Sequence, residues 1–266
     1  MIILDDIYTE KNFGLNALVG HSHPLNAEID SKTVKIPGRP GVYDFGDEIG
    51  IKPFEISFDI IEKDKIEMQQ KLYSFISFLQ DDYGYPREFK LVYDYAPDRF
   101  YMVKVNGLVT PDRLMGVSKF TLPFVANDPY AYSVVYSDEI TWGSEILTFE
   151  SNYTLGHEGT AGNVHVTRNT TIDLTVSGIA IKPLIEITGS ASSLKLEVNG
   201  YSINFPKFID TTWKIDCDNY TVLKNRENSF NDVKLRDFIL LPGLNTVNVT
   251  GTNIDIDINF RYRDKY

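Results

Sequence analysis

Residues 54–60 read Phe-Glu-Ile-Ser-Phe-Asp-Ile, and this alternation of apolar and polar side chains decides the class of fold. Successive side chains of a β-strand point to opposite faces of a sheet, so a period of two predicts a strand with one buried face. Pro123 interrupts one such run and predicts an edge strand there. Asn106-Gly107 predicts a hairpin turn. The alternation recurs at residues 89–95, 120–124, 172–176, 194–198 and 254–262. We therefore predict a mainly β fold.

One segment departs from this period and predicts a helix over residues 64–82. Its apolar side chains recur at helical spacing. Asp64 with Glu67 is typical of a capping box, and Gly84 indicates a stop. The apolar positions are Met68, Leu72, Phe75, Ile76 and Leu79. This is the one helix that we predict, and its apolar stripe favours packing against a sheet.

The composition of the sequence changes near residue 130, where Asn127-Asp128-Pro129 indicates a turn. After this point the strands are shorter and carry more Thr, Ser, Asn and Gly between them. A chain of 266 residues also fits two domains of ordinary size. We predict a first domain over residues 1–132 and a second over residues 133–266. Turn signals at Asn199-Gly200 and Pro242-Gly243 favour a β-sandwich or jelly roll for the second domain.

The net charge of -11 excludes several classes of partner. Gripping nucleic acid requires Lys and Arg against the phosphates, and an acidic chain also resists anionic lipid. The sequence has no apolar run long enough to cross a membrane and no secretion signal. We therefore expect that the protein is assembled in the cytoplasm and does not contact a membrane. The single cysteine, Cys217, alternates with Trp213 and Ile215, which indicates a buried apolar role.

We predict no catalytic residue, no metal site and no cofactor site. The sequence has no nucleophile elbow, no phosphate-binding loop and no dinucleotide fingerprint. His21 and His23 have no third metal ligand nearby in sequence, which favours a solvated loop. Asp94 and Asp98 flank a turn, where Asp is an ordinary turn former. Of the two tryptophans, Trp213 is predicted to be buried by its alternation, so Trp142 is the more open candidate for stacking on a sugar.

Several motifs, taken in order, resemble the distal tail proteins of long, flexible-tailed phages that infect Gram-positive bacteria. In the first half they are Pro-Gly-Arg-Pro-Gly-Val-Tyr-Asp at 37–44, Asp-Tyr-Ala-Pro-Asp-Arg-Phe-Tyr at 94–101 and Ala-Asn-Asp-Pro-Tyr-Ala at 126–131. In the second half they are Gly-Asn at 162–163, Pro-Leu-Ile-Glu-Ile-Thr-Gly at 183–189, Trp-Lys-Ile-Asp at 213–216 and Leu-Pro-Gly-Leu-Asn at 241–245.

The resemblance implies a structural hub at the tip of the phage tail. Six copies would form a ring, with N-terminal β-sandwich domains, each bearing a helix and a hairpin arm, around a channel. Galectin-like C-terminal domains would lie at the periphery. The ring would join the tail tube protein to a tail-associated lysin or fibre protein and to a receptor-binding protein. Genome DNA would pass through the channel without specific binding.

Ring closure by identical subunits requires contacts between different surfaces of neighbouring copies. A hairpin or edge strand can supply such contacts by strand addition. Our candidates for the ring interface lie in three segments, and for any one residue an ordinary turn within the chain is an equally good explanation. They are Gly38, Arg39, Pro40, Gly41, Tyr43, Asp94, Asp98, Arg99, Asn106 and Gly107.

Two other functions remain open on the residues alone. A carbohydrate-binding adhesin for host cell-wall sugars predicts an exposed aromatic platform on the second domain. A tail hydrolase predicts a pair of carboxylates in a cleft, and it is the weakest of the three hypotheses because no such pair is marked by the sequence.

Overall fold

The structure is a computed structural model that describes residues 2–18, 20–139, 163–233, 235 and 237–266. The chain packs into two compact units, Met1–Ala131 and Tyr132–Tyr266. Strands dominate both units, so the predicted mainly β fold is confirmed. In the described part of the chain, no helix is long and apolar enough to span a bilayer.

The first unit contains a curled antiparallel sheet, a separate two-stranded hairpin and two helices. The sheet runs in the order β2-β1-β7-β8-β10-β6-β3, with β9 beside β10, and the hairpin pairs β4 with β5. The elements are β1 (Ile2–Leu4), β2 (Ile7–Tyr8), α1 (Thr9–Phe13), β3 (Leu15–Ala17), β4 (Ile29–Val34), β5 (Tyr43–Ile49), β6 (Lys52–Ile61), α2 (Lys65–Phe78), β7 (Phe89–Tyr93), β8 (Ala96–Val105), β9 (Asp112–Leu114) and β10 (Val117–Ala126).

The alternation that opened the sequence builds the core of this unit. Every second residue of β6 is buried, and β10 pairs with β6 along its whole length. β8 and β10 share only two register pairs, so the sheet folds over at this point and encloses an apolar core. Helix α2 closes the core with Phe75, whose ring lies 6.1 Å from Phe58 and 6.4 Å from Phe120.

Helix α2 begins where the sequence predicts and ends earlier. The Asp64 carboxylate accepts from the backbone N–H of Ile66 at 2.7 Å and of Glu67 at 3.3 Å, which is N-capping. The reciprocal half of a capping box is replaced, because the Asp64 N–H donates to Glu62 instead. The prediction that the helix reaches residue 82 is wrong, since the Asp81 carboxylate accepts from the N–H groups of residues 83 and 85 and folds a separate turn.

Loss of this cap has a measurable cost. Replacing Asp64 by alanine leaves two N–H groups of the first helical turn without their acceptor, and we expect a loss of about 1 kcal/mol of unfolding free energy. Urea unfolding followed by circular dichroism measures it. Asp82→Ala is the matched control, because Asp82 is exposed and lies after the helix. Equal effects of the two substitutions would contradict the capping role.

Two local predictions are wrong. Strand β10 lies between β8 and β6 and is not an edge strand. Pro123 fits there because its carbonyl accepts from Asn106, so its missing N–H faces away from β6 and costs no bond to that strand. Asn106-Gly107 is not a hairpin turn, because the next strand, β9, pairs with β10. A single short additional helix, α1, also precedes α2 in the described residues.

The second unit is a sandwich of two antiparallel sheets. Six strands run in the order β12-β21-β14-β17-β18-β19, and four run in the order β13-β20-β15-β16. A two-residue strand, β11 (Tyr132–Ser133), opens the unit. The others are β12 (Asn163–Val166), β13 (Thr170–Val176), β14 (Leu184–Ala191), β15 (Ser193–Val198), β16 (Tyr201–Phe205), β17 (Phe208–Asp216), β18 (Thr221–Lys224), β19 (Glu227–Asn228), β20 (Gly243–Thr252) and β21 (Asp255–Arg261), with a 3-10 turn at Phe230–Asp232.

One apolar cluster fills the space between these sheets. Trp213 is fully buried at its centre, with its ring 5.6 Å from that of Phe205 and 6.1 Å from that of Phe208. Cys217 is buried on the same side of the chain, as predicted, and burial raises the pKa of its thiol to about 12. A thiol with that pKa stays protonated at neutral pH, so it is a poor nucleophile.

Candidate assembly surface

Residues 29–49 form a hairpin that we call the arm. Strands β4 and β5 pair only with each other, and every residue from 28 to 49 is exposed. Two backbone bonds close its base, from Glu28 N–H to the Ile51 carbonyl at 3.0 Å and from Gly50 N–H to the Glu28 carbonyl at 2.8 Å. A lone two-stranded hairpin is only marginally stable in water. The arm therefore has two unpaired strand edges and no core of its own.

The arm carries large apolar side chains in water. Phe45 is 71% exposed, and with Val34 and Tyr43 it forms what we call the tip patch. Val34 is the register partner of Tyr43, and Phe45 is two residues further along β5, so the three side chains share one face. Ile29 and Ile49 face each other near the root. Exposed apolar patches of this kind mark surfaces that are covered by a partner.

A β-bulge in β5 determines the face on which Ile49 lies. Between the pairs Ser31–Asp47 and Thr33–Asp44, β4 advances two residues and β5 advances three. The extra residue is Gly46, whose φ of 95° is one that glycine adopts without strain. On β4, which has no extra residue, Val34 lies five residues from Ile29 and so faces the opposite side. On β5 the added residue inverts the alternation, so Ile49 faces the side of Ile29 and not that of the tip patch. The sequence alone did not predict that these apolar side chains are exposed.

Polar contacts hold the rest of the arm in shape. The Lys32 ammonium pairs with Asp30 on its own strand and lies 3.2 Å from Glu48 on the other strand. At the tip, Gly38 and Gly41 have φ values of 84° and 83° and allow the chain to reverse. The Arg39 guanidinium lies 4.3 Å from the centre of the Tyr43 ring. Pro40 lies between Arg39 and Gly41 in this tip.

The structure places the other predicted interface residues in two different segments. Asp94 lies in the turn between β7 and β8, and Asp98 and Arg99 lie on β8, with Arg99 Nε 3.3 Å from Asp98 Oδ2. Asn106 and Gly107 follow β8, and the Asn106 N–H donates to the Pro123 carbonyl at 2.8 Å. The candidates thus occupy the arm, the start of β8 and the loop after β8.

The prediction of a solvated loop at His21 and His23 is wrong. The Ser22 N–H donates to the Glu55 carbonyl at 2.7 Å, which fixes this segment to β6. The His23 ring is half-buried and stacks on Tyr93 with ring centres 4.4 Å apart. A sequence with two isolated histidines gave no signal for this packing, because their aromatic partners lie about 70 residues later in the chain.

Residues for enzyme chemistry do not converge in the described part of the chain. Among those residues, no group of three or more His, Cys, Asp or Glu side chains is placed to hold a metal ion. Asp98 is engaged by Arg99. Trp142, the candidate for sugar stacking, lies outside the described residues.

Comparison with protein families matches the first unit of the chain to a phage tail domain. Residues 6–126 match the model of the phage tail protein RIFT-related domain, the Sipho_tail family. This range contains the arm, both helices and most of the curled sheet. Among curated proteins, none matches the chain.

Comparison with solved structures extends the match to the whole chain. The Dit protein of phage SPP1, described as a paradigm of the hub adsorption apparatus in phages that infect Gram-positive bacteria, aligns with a TM-score of 0.70 at 14% identity. The alignment covers 100% of this chain and 98% of that one. Components of the phage p2 baseplate in its activated conformation align at 13% identity with TM-scores of 0.46 and 0.44. The predicted resemblance to tail proteins is confirmed, and the chain has the fold of the SPP1 protein.

Proposed function

We propose a specific role for this chain, whose residues 6–126 match the phage tail protein RIFT-related domain: it is the distal tail protein, the structural hub at the tip of the phage tail. Six copies form a ring in the virion, with Tyr132–Tyr266 as a peripheral, galectin-like unit. The ring joins the tail tube to a tail-associated lysin or fibre protein and to a receptor-binding protein. The particle is assembled in the cytoplasm of the host.

The arm is the observation that carries this proposal. Its tip patch and its two free edges are surfaces that a monomer leaves uncovered. A neighbouring copy covers them if the arm adds to a sheet or groove of that copy. Since the arm of one copy contacts a different surface on the next, the contact is heterologous, and it closes into a ring when the rotation per copy divides a full turn.

The ten candidate interface residues divide between the arm tip and the surfaces that we propose receive it. Gly38, Arg39, Pro40, Gly41 and Tyr43 form the tip that reaches the neighbour. The segment with Asp94, Asp98 and Arg99 and the loop with Asn106 and Gly107 are the surfaces of the core unit that we propose to receive it. Both are at least partly exposed in the single chain, as a receiving surface must be.

The acidity of the chain fits a channel for DNA. With a net charge of -11 per copy, a ring repels phosphates unless basic residues concentrate on its inner wall. DNA passes such a wall without binding it. A ring structure with a basic inner wall would contradict this part of the proposal.

The mass of the purified protein tests the ring. We expect light scattering to give six copies of the 30.3 kDa chain, about 182 kDa, and negative-stain images to show rings with a central hole. A monomer that binds host cell-wall polysaccharide would overturn the hub and favour the adhesin. A monomer without such binding would also overturn self-assembly into a ring, unless added tail tube protein restores the ring.

A further inference from the structure

Six polar and aromatic side chains meet at the root of the arm and hold both of its ends. The segment that leads into the arm supplies two histidines, and the residue that opens β6 supplies a lysine. Strands β7 and β8 and the turn between them supply three tyrosines. This arm-root cluster comprises His21, His23, Lys52, Tyr93, Tyr95 and Tyr101.

One set of directions gives every tyrosine hydroxyl hydrogen of the hydrogen-bonded series an acceptor within the cluster. Lys52 Nζ lies 3.3 Å from Tyr101 Oη and can only donate to it. The Tyr101 hydroxyl then donates to His23 Nε2, at 3.2 Å. A neutral His23 therefore carries its proton on Nδ1 and donates it to Tyr95 Oη at 2.7 Å, and Tyr95 donates to His21 Nε2 at 3.1 Å. In this series of hydrogen bonds, the hydroxyl hydrogens of Tyr95 and Tyr101 and the ring hydrogen of His23 all have acceptors only while His23 is neutral.

Packing fixes the same rings in place. Tyr93 is buried in the core, and His23 stacks on it at an interplanar angle of 13°. Lys52 is 5% exposed, donates to the Leu25 carbonyl at 3.4 Å and lies 4.8 Å from the centre of the Tyr101 ring. Leu25 belongs to the segment leading into the arm, so Lys52 ties the two ends of the arm together. The cluster is thus an anchor between the arm and the core.

We propose that the arm-root cluster is a pH-responsive anchor, in which neutral His23 locks the arm to β7 and β8 and protonated His23 releases it. Protonation places a hydrogen on Nε2, where the Tyr101 hydroxyl is already donating. It also places a second positive charge beside the Lys52 ammonium in a half-buried site. The effect on ring assembly rests on the function proposed above, whereas the anchor itself is a property of one chain.

The charged groups around His23 favour its neutral form. Burial lowers the pKa of His23 most, followed by Lys52 and by His21. Burial also lowers the pKa of Lys52. The other groups that face the ring are the hydroxyls of Tyr93, Tyr95 and Tyr101 and the neutral ring of Phe54. Burial raises the pKa of both Tyr95 and Tyr101, and Asp94 adds to this effect at Tyr95 whereas Arg99 opposes it at Tyr101.

The sign of the pH effect follows from the lowered pKa. The unfolded chain binds a proton at His23 as the pH falls through about 6.5, while the folded chain resists it. The stability contributed by neutral His23 is therefore fully present above about pH 6.5 and is lost below it, down to the pKa in the folded state. Attraction between an imidazolium and the face of Tyr93 opposes this trend. Burial, Lys52 and His21 all act to lower the pKa of His23.

Nuclear magnetic resonance of the full chain, labelled at histidine, tests the chemistry. We expect His23 to be the Nδ1–H tautomer at pH 7.5 and to titrate below 6.5. In Lys52→Met the pKa of His23 should rise, because a neighbouring positive charge is gone. In Tyr101→Phe the tautomer preference should weaken. A His23 that titrates at or above 6.5, or that carries its proton on Nε2, would overturn the proposal whether or not the protein forms a ring.

Hydrogen exchange followed by mass spectrometry tests the release. After correction for the intrinsic pH dependence of exchange, we expect residues 20–28 and 50–53 to lose protection between pH 7.5 and 5.5. His23→Gln should show low protection at both pH values, and His165→Gln should behave as wild type, because His165 is exposed in the other unit. Unchanged protection of these segments in wild type over that range would contradict the release.

Discussion

Replacing Phe45 by lysine is expected to abolish ring assembly and leave each unit folded. Phe45 is the most exposed large side chain of the tip patch, so the monomer does not use it. In the proposed ring the same side chain is covered by the neighbouring copy, and a lysine there would place an unpaired charge in an apolar contact, at a cost of several kcal/mol. Repeated at six contacts, such a cost removes the ring. Light scattering should find the single-chain mass at concentrations at which we expect the wild-type protein to form the proposed ring.

Thr33→Lys is the matched control for this substitution. It adds the same side chain at the same distance from the root, and its register partner is Asp44, on the face opposite to the tip patch. We expect it to assemble. The unfolding transition of both variants should match that of wild type, since residues 33 and 45 are exposed in the single chain. Normal rings from Phe45→Lys would show that the tip patch is not an interface.

Replacing Trp213 by alanine is expected to have the largest effect on stability. The side chain is fully buried between the sheets of the second unit and touches two phenylalanine rings. Removing it loses its burial and leaves a cavity, which together cost about 3–5 kcal/mol. For a unit of this size the melting temperature should fall by roughly 10–20 °C. Calorimetry and urea unfolding measure both quantities.

Two other variants separate the cavity from simpler effects. Ile209→Ala removes an apolar side chain from the same strand, but that side chain is 66% exposed, and we expect a change within about 0.5 kcal/mol. Trp213→Phe keeps a ring and should lose less than the alanine variant. If Trp213→Ala cost no more than Ile209→Ala, the role of the tryptophan in the core would be wrong.

The alternation of apolar and polar residues with a period of two predicted most of the strands of the fold. Phe54, Ile56 and Phe58 alternate in the sequence and are buried in the structure, because one face of β6 packs on α2 and the other does not. Helix α2 was equally visible, as its cap is a local contact. What the pattern could not give is the order of strands, which depends on pairing between distant residues, and so Pro123 was assigned to an edge.

The candidate assembly surface was only partly predictable. The tip residues Gly38 to Gly41 stand out, since Gly and Pro mark turns wherever they occur. The apolar tip patch was not recognised, because an exposed Phe45 and a buried one look alike in sequence. The arm-root cluster was invisible for another reason: it joins His23 to Tyr95 and Tyr101, more than 70 residues apart. Three-dimensional proximity of this kind leaves no local pattern.

Gly46 gives β5 one residue more than β4 between the register pairs Thr33–Asp44 and Ser31–Asp47. No other group comes within 4 Å of a methyl added at Gly46, so it is the backbone conformation there, with a φ of 95°, that favours glycine. Deleting Gly46 would leave a regular ladder in which Phe45 still faces the same side as Val34, but the bend and the added twist of the bulge would be lost. This glycine therefore determines the direction of the tip relative to the root of the arm, and not the side on which Phe45 lies.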